Sequence, residues 1–197
     1  MANQKKIYEE LRKKFGEVIE IMQLKERLSD IDIHIKDTPE RLAKMFTYEL
    51  FSGVYEDEPK ITTLPNDNRL ITPITLTNIK IRSLCTHYFL PIEGICAIEY
   101  MPNKKIISVN KLPRIVDYFA KRPQTQENLT QQIGDKLLEI LDPEYIAVII
   151  KAKHLCMTHR GLNDSDNTVV ITTYHKTTIL NNNNQDTIIS KLLNLMG

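Results

Sequence analysis

Two short stretches of this 197-residue chain each set a thiol beside an imidazole. The first is Ser83-Leu84-Cys85-Thr86-His87-Tyr88; the second is Lys153-His154-Leu155-Cys156. Residues two apart on an extended segment point to the same face. If both stretches are strands, Cys85 and His87 share one face, and so do His154 and Cys156. Two such pairs converging on one point would suit zinc, whose usual ligands include thiolate and imidazole. A plainer reading competes, because a cysteine on the apolar side of a strand is usually a small core residue. Cys96, in Gly94-Ile95-Cys96-Ala97-Ile98 with no histidine near it, takes that reading. His34 and His175 have no evident partners and read as ordinary polar residues. His159, three residues past Cys156 and next to Arg160, is a further candidate donor.

The elements that must position these groups follow from hydrophobic periodicity. Ile7, Leu11, Phe15, Val18, Ile19 and Met22 recur at helical spacing and predict an amphipathic helix over 5–28, weakened at Gly16. Thr38 as N-cap and Pro39 at the first helical position open a second helix; Leu42, Met45, Phe46 and Leu50 supply its apolar face, and Gly53 is placed to end it. The period then changes. Segments 70–82, 83–90, 94–101 and 105–109 are short and rich in Ile, Val, Leu and Tyr, with turns expected at Gly94 and at Pro102-Asn103. Helices follow at about 110–121 and 125–141, separated by Arg122-Pro123, and the second carries the stripe Leu129, Ile133, Leu137, Leu138 and Leu141. Segments 145–156 and 168–176 read as strands. The polar run Asn181 to Asn184 is expected to be mobile, and 188–196 to dock as a short helix. Helices, strands, helices, strands without an internal repeat make one α+β domain. The expected division is a helical region over 1–55, a catalytic domain over 56–180 and a tail over 181–197.

Bulk properties narrow the function. Hydrophobic residues make up 42% and charged residues 26% of the chain, as in globular proteins, and the formal net charge is +1. There is no global basic field of the kind a nucleic-acid binder carries. No apolar stretch reaches the length of a membrane span, and the N-terminus lacks the apolar core of a signal peptide. A cytoplasmic protein without nucleic-acid or membrane partners is expected. Three cysteines, an odd number, argue against a disulfide framework there.

Four segments together resemble the GTP cyclohydrolase I family over about residues 37 to 174. They are TPERLAKMFTYELFSG at 38–53, SLCTHYFLPIEG at 83–94, NKLPRIVDYFAKRPQTQENLTQQI at 110–133 and KHLCMTHRG at 153–161. The resemblance implies a tunnelling fold, with an antiparallel sheet, helices on one face and an N-terminal helical extension. It implies a homo-oligomer, a decameric ring with active sites at subunit interfaces. The implied reaction takes GTP and water to formate and 7,8-dihydroneopterin triphosphate, with a zinc-bound water attacking C8 of guanine. By position, Cys85 and Cys156 match the two thiolate ligands of Zn2+. His87 matches a histidine next to the metal water, and His154 the histidine that exchanges protons with the imidazole ring of guanine. Glu127 matches the carboxylate that accepts from N1–H and the 2-amino group. Lys111, Arg114 and Arg160 match residues that hold the triphosphate, and Arg41 and Lys44 a basic pair reaching it from an adjacent subunit. A cluster of cations is what a triphosphate requires. Lys111 and Arg114 also lie near a helix start, where free N–H groups favour anions. Gln124 and Gln126, in the same motif, are secondary candidates.

The chain departs from the family pattern at the metal. The pattern Cys-Glu-His-His becomes Cys85-Thr86-His87-Tyr88, so tyrosine stands where the third zinc ligand is expected, and tyrosine binds zinc rarely. Asn110 replaces a serine ahead of Lys111. Three readings stay open for the metal. Another donor, His87 first and then His154 or His159, completes the site; Tyr88 ligates as phenolate; or the site is metal-poor and the chain stops at ring opening or binds guanine nucleotide without full turnover. Two rival functions are a nitrile reductase of the same fold and a non-catalytic nucleotide-binding subunit.

Overall fold

The computed structural model describes residues 2–24, 35–160, 168–176 and 182–197; His34, Asn181 and the side chain of His175 fall outside that set. Two compact units make up the chain, Met1–Asp57 and Glu58–Gly197.

In the first unit, α1 (Ala2–Ile21) packs on α2 (Thr38–Lys44). Phe15 stacks on Phe46 with centroids 5.6 Å apart, and Gln4 Nε2 donates to the Thr47 carbonyl at 3.2 Å. Two capping expectations are corrected. Thr38 is already helical; Asp37 holds the cap position with helical backbone angles and makes no side-chain cap bond. Gly53 does not end the helix either. The chain widens into a π-helical turn at Met45–Leu50, breaks at Phe51, where φ is −114°, and turns again in α3 (Ser52–Tyr55), with Gly53 buried inside it.

The second unit is a mixed α+β structure built on a five-stranded sheet in the order β5-β2-β3-β6-β7. Its strands are β2 (Ile74–Cys85), β3 (Pro91–Met101), β5 (Pro123–Gln124), β6 (Tyr145–His154) and β7 (Val169–Lys176). A small ribbon of β1 (Thr63–Pro65) and β4 (Lys105–Ile107) stands apart. The two strands expected at 70–82 and 83–90 are one strand, because Arg82 and Ser83 stay in the ladder opposite Glu93 and Ile92. It bulges between Leu76 and Ile79, where Asn78 takes φ 59°, a left-handed conformation that asparagine tolerates.

Helix α4 (Leu112–Ala120) follows a 3-10 turn at Val109–Lys111, and α5 (Gln126–Leu141) starts at Thr125, whose side chain accepts from Asn128 N. Leu112, Ile115 and Phe119 of α4 and Leu129, Ile133, Leu137 and Leu141 of α5 bury one sheet face, against Ile92, Cys96, Ile98, Tyr100, Ile146, Val148 and Ile150.

The expectation of helices on one face only is corrected. The opposite face carries Ala97, Ala147 and Ile149, covered by Leu192 and Met196 of the C-terminal helix α7 (Asn182–Met196). The small side chains at 97 and 147 leave room for a helix, and Ile146 to Ile150 runs apolar without alternation, as a strand buried on both faces does. Glu99 lies on that face, buried, accepting hydrogen bonds from Thr75 Oγ1 and Tyr145 OH and pairing with Lys191 Nζ of α7 at 2.6 Å. That helix begins inside the polar run expected to be mobile.

Gly94 is no turn. It sits in mid-strand opposite Ala152. A Cβ there would lie 2.1 Å from the Lys151 carbonyl oxygen and 2.6 Å from Ala152 Cα, so β3 and β6 approach too closely for a side chain. Gly94→Ala should therefore lower stability by about 3 kcal/mol, read as a lower urea midpoint, because the obstruction is backbone that cannot rotate away.

Candidate active site

β3 is antiparallel to both β2 and β6, so β2 and β6 run parallel to each other and end on the same side of the sheet. Ser83 pairs with Ile92, and Ile92 pairs with His154. On the outer side of β2, Leu84 and Cys85 pair with Pro123 and Gln124 of β5. One end of the sheet therefore gathers the end of β2, the end of β6 and the entry to α5, which are 28 or more residues apart in the chain from one another.

Cys85 is the last residue of β2, and a tight turn follows. Cys85 N donates to Leu90 O at 2.9 Å, and Phe89 N donates to Cys85 O at 2.8 Å. Phe89 sits at φ 53°, a region a bulky residue seldom adopts. His87 Nδ1 lies 3.4 Å from Cys85 Sγ. Cys85 and His87 do come together, but through this turn rather than through strand alternation.

The pair His154 and Cys156 is built differently from the expectation as well. β6 ends at His154, and Cys156 lies in the short helical turn α6 (Leu155–Thr158). The segment 145–156 is thus a strand only to 154. The Cys156 thiol is pushed up, first by burial and then by the Cys85 thiol beside it, while Arg160 acts in the opposite sense. Those influences place the two thiols and the guanidinium in one neighbourhood. Arg160 stacks on the ring of Tyr88 at 4.1 Å, and Tyr88 is 57% exposed. Cys96 is a fully buried core residue whose thiol is strongly raised by burial alone.

His154 is half-buried, and its Nε2 lies 2.7 Å from Gln126 Oε1. Burial lowers its basicity, and the nearby Glu127 carboxylate partly offsets that. Gln126, a secondary candidate in the sequence, is fully buried at the start of α5, with Nε2 donating to Ile150 O at 2.9 Å and to Val169 O at 3.1 Å. A signal for it existed: Gln126 falls on the buried stripe with Leu129, Thr130, Ile133 and Leu137, a polar residue where the pattern asks for an apolar one.

The cationic residues are less gathered. Asn110 and Lys111 lie in the 3-10 turn before α4 and Arg114 in its first turn; Lys111 N–H donates to Ser108 O, Leu112 N–H donates to Val109 O and Pro113 has no N–H, so the backbone at this helix start offers few free donors. Arg41 and Lys44 lie exposed on α2 in the other unit, Arg41 3.8 Å from Asp37. His159 is exposed and lies 3.1 Å from Thr158 Oγ1.

Zinc requires three or four converging donors. Two thiols and an imidazole are the right donor types, and the His87 ring lies 3.4 Å from Cys85 Sγ. Among the described residues, no group of three or more His, Cys, Asp and Glu side chains already stands at metal-holding distance. Likewise, no described helix is long and apolar enough to cross a membrane.

Comparison with known proteins bears on all of this. The family model "GTP cyclohydrolase I" matches residues 15–194. The GTP cyclohydrolase 1 of Wigglesworthia glossinidia brevipalpis is 41% identical over 165 residues, covering 82% of this chain and 76% of that protein. That of Haemophilus ducreyi is 38% identical over 162 residues, 82% of this chain and 72% of its own. That of Citrobacter koseri is 40% identical over 158 residues, 80% and 71%. Among solved structures, the archaeosine synthase QueF-Like in the apo form overlays 56% of this chain and all of its own at TM-score 0.47 and 15% identity, a likeness too slight to fix fold or function.

The three thiols should differ in reactivity in metal-free protein. Iodoacetamide should alkylate the partly exposed Cys156 first, Cys85 more slowly, and Cys96 only on unfolding, as read by peptide mass mapping. Equal labelling of Cys96 and Cys156 in the native state would contradict this packing.

Proposed function

The chain belongs to the GTP cyclohydrolase I family, and on that premise we propose that it is an enzyme converting GTP and water to formate and 7,8-dihydroneopterin triphosphate. One observation supports the residue assignment: the ends of β2 and β6, which carry Cys85, His154 and the following Cys156, and the start of α5, which carries Glu127, lie at one end of the sheet, with His154 bonded to Gln126. Those are the groups a hydrolytic opening of a purine ring needs, namely a proton carrier, a guanine reader and soft metal donors.

Water adds to C8 of guanine, the imidazole ring opens and formate leaves; the ribose then rearranges and the pterin ring closes. His154 exchanges protons with the opening ring. Glu127, exposed in the first turn of α5, accepts from N1–H and the 2-amino group of guanine, a pair of donors that adenine lacks. Lys111, Arg114 and Arg160 hold the triphosphate, with Asn110 beside them. Arg41 and Lys44 reach the phosphates from an adjacent subunit.

Cys85, Cys156 and His87 fit Zn2+ by donor type. When bound, the ion would supply Lewis-acid activation of water at neutral pH. His87 is the better third donor because it already lies against Cys85 Sγ, whereas Tyr88 is turned to Arg160. That stacking leaves an aromatic ring, not a metal ligand, as the evident use of Tyr88. Retention of both thiols, His154 and Glu127 favours turnover over nucleotide binding alone.

A decameric ring with interfacial sites fits the sheet. Among the described strands β7 pairs only with β6, and the outer edge of β2 is covered only at Leu84 and Cys85. Unpaired edges of this kind call for partner strands. A formal net charge of +1 suits a small-molecule substrate handled in the cytoplasm rather than a nucleic acid.

Purified, zinc-supplemented protein given GTP should release formate and develop pterin fluorescence. Glu127→Gln should lower kcat/KM by about 100-fold, because it loses the charged acceptor for two substrate donors. Nucleotide binding with neither product would overturn the assignment. For the metal, His87→Ala should lose bound zinc, measured by elemental analysis, while Tyr88→Phe should retain it; the reverse pattern would make Tyr88 the ligand.

A further inference from the structure

We propose that Gln126 is a positioning residue that locks His154 in the Nε2–H tautomer, so that Nδ1 alone takes and gives the proton during turnover. The proposal rests on the cyclohydrolase reading for what that proton does, and on geometry for where it sits.

Gln126 is fully buried, and one end of its amide faces two backbone carbonyls, Ile150 O at 2.9 Å and Val169 O at 3.1 Å. Both are acceptors only, so that end must be the NH2 group. The other end is then the carbonyl oxygen, and it lies 2.7 Å from His154 Nε2. An oxygen with no hydrogen requires a donor opposite it, so Nε2 carries a proton whether the ring is neutral or charged. In the neutral ring, Nδ1 is therefore the free base. Turning the amide over would set its oxygen against two strand carbonyls, inside the protein where water cannot compensate.

The lock is also rigid. Ile150 lies on β6 and Val169 on β7, so the amide is tied to two strands of the sheet while its backbone opens α5. The residue after it is Glu127. One short segment therefore holds the guanine-reading carboxylate and the group that decides which nitrogen of His154 is basic. The general acid–base group and the base reader are set relative to each other by a single helix start.

A merely structural role, fastening β6 to β7, makes a different forecast, and two substitutions separate the two. Gln126→Glu keeps an oxygen toward Nε2 but removes the NH2 donors to the strands. Gln126→Leu removes both. The five histidines can be labelled with 15N and read by solid-state NMR on sedimented, zinc-loaded full-length protein at alkaline pH, His154 being identified by its loss in His154→Gln. Wild type and Gln126→Glu should show the Nε2–H pattern, and Gln126→Leu should show a substantial Nδ1–H population. Gln126→Leu should also lose kcat by about 100-fold with KM for GTP changed less than about twofold. An Nδ1–H signature in the active wild type, or an unchanged Nε2–H signature and kcat in Gln126→Leu, overturns the proposal and leaves the cyclohydrolase reading standing. Wild-type protein that releases no formate overturns that reading, even if the tautomer is as stated.

Discussion

Strand β3 lies between β2 and β6 and runs against both, and every chemical feature of the second unit depends on that arrangement. Two strands that flank a third and are both antiparallel to it run parallel to each other and finish at the same end of the sheet. Here the row Ser83, Ile92 and His154 crosses the three strands, and Cys85 follows two residues past it at the end of β2. The close approach of β3 and β6 at Gly94 belongs to the same constraint, since a side chain there would push the ladder open next to the row that carries the site.

Two buried polar residues do opposite kinds of work on opposite faces of this sheet. Glu99, on the α7 face, is neutralised by Lys191 and hydrogen-bonded by Thr75 and Tyr145, which fastens the C-terminal helix to the strands. Gln126, on the α5 side, has its donors taken by backbone, which leaves one oriented acceptor for a titratable ring. In both cases burial without a partner would be costly, so the partners are fixed. The three cysteines show the same dependence on surroundings. Cys96 is sealed in the core as an apolar group, while Cys85 ends β2 and the less buried Cys156 lies on the turn that follows β6.

Tyr88 and His87 are neighbours in one turn but meet different partners. The Tyr88 ring carries the Arg160 guanidinium, and His87 sits on the thiol side of the turn. The turn that brings this about is held by both backbone groups of Cys85 and contains the left-handed Phe89.

Much was legible in the amino-acid order alone. Periodicity located α5, α4 and most strands, because a buried stripe at helical or alternating spacing is a local property. The residue types at 85, 87, 154 and 156 named thiolate and imidazole chemistry, and the four motifs named a family, since both are written in side-chain identity. Tertiary structure decided the rest. It ended β6 at His154 and moved Cys156 onto a helical turn, joined 74–85 into one strand, placed α7 on the second face, put Gly94 in mid-strand and gave Gln126 its partner. None of these is set by neighbours in sequence. Each depends on which strand or helix lies across from a residue, and those contacts join segments far apart in the chain, where packing and hydrogen-bond satisfaction override local preference.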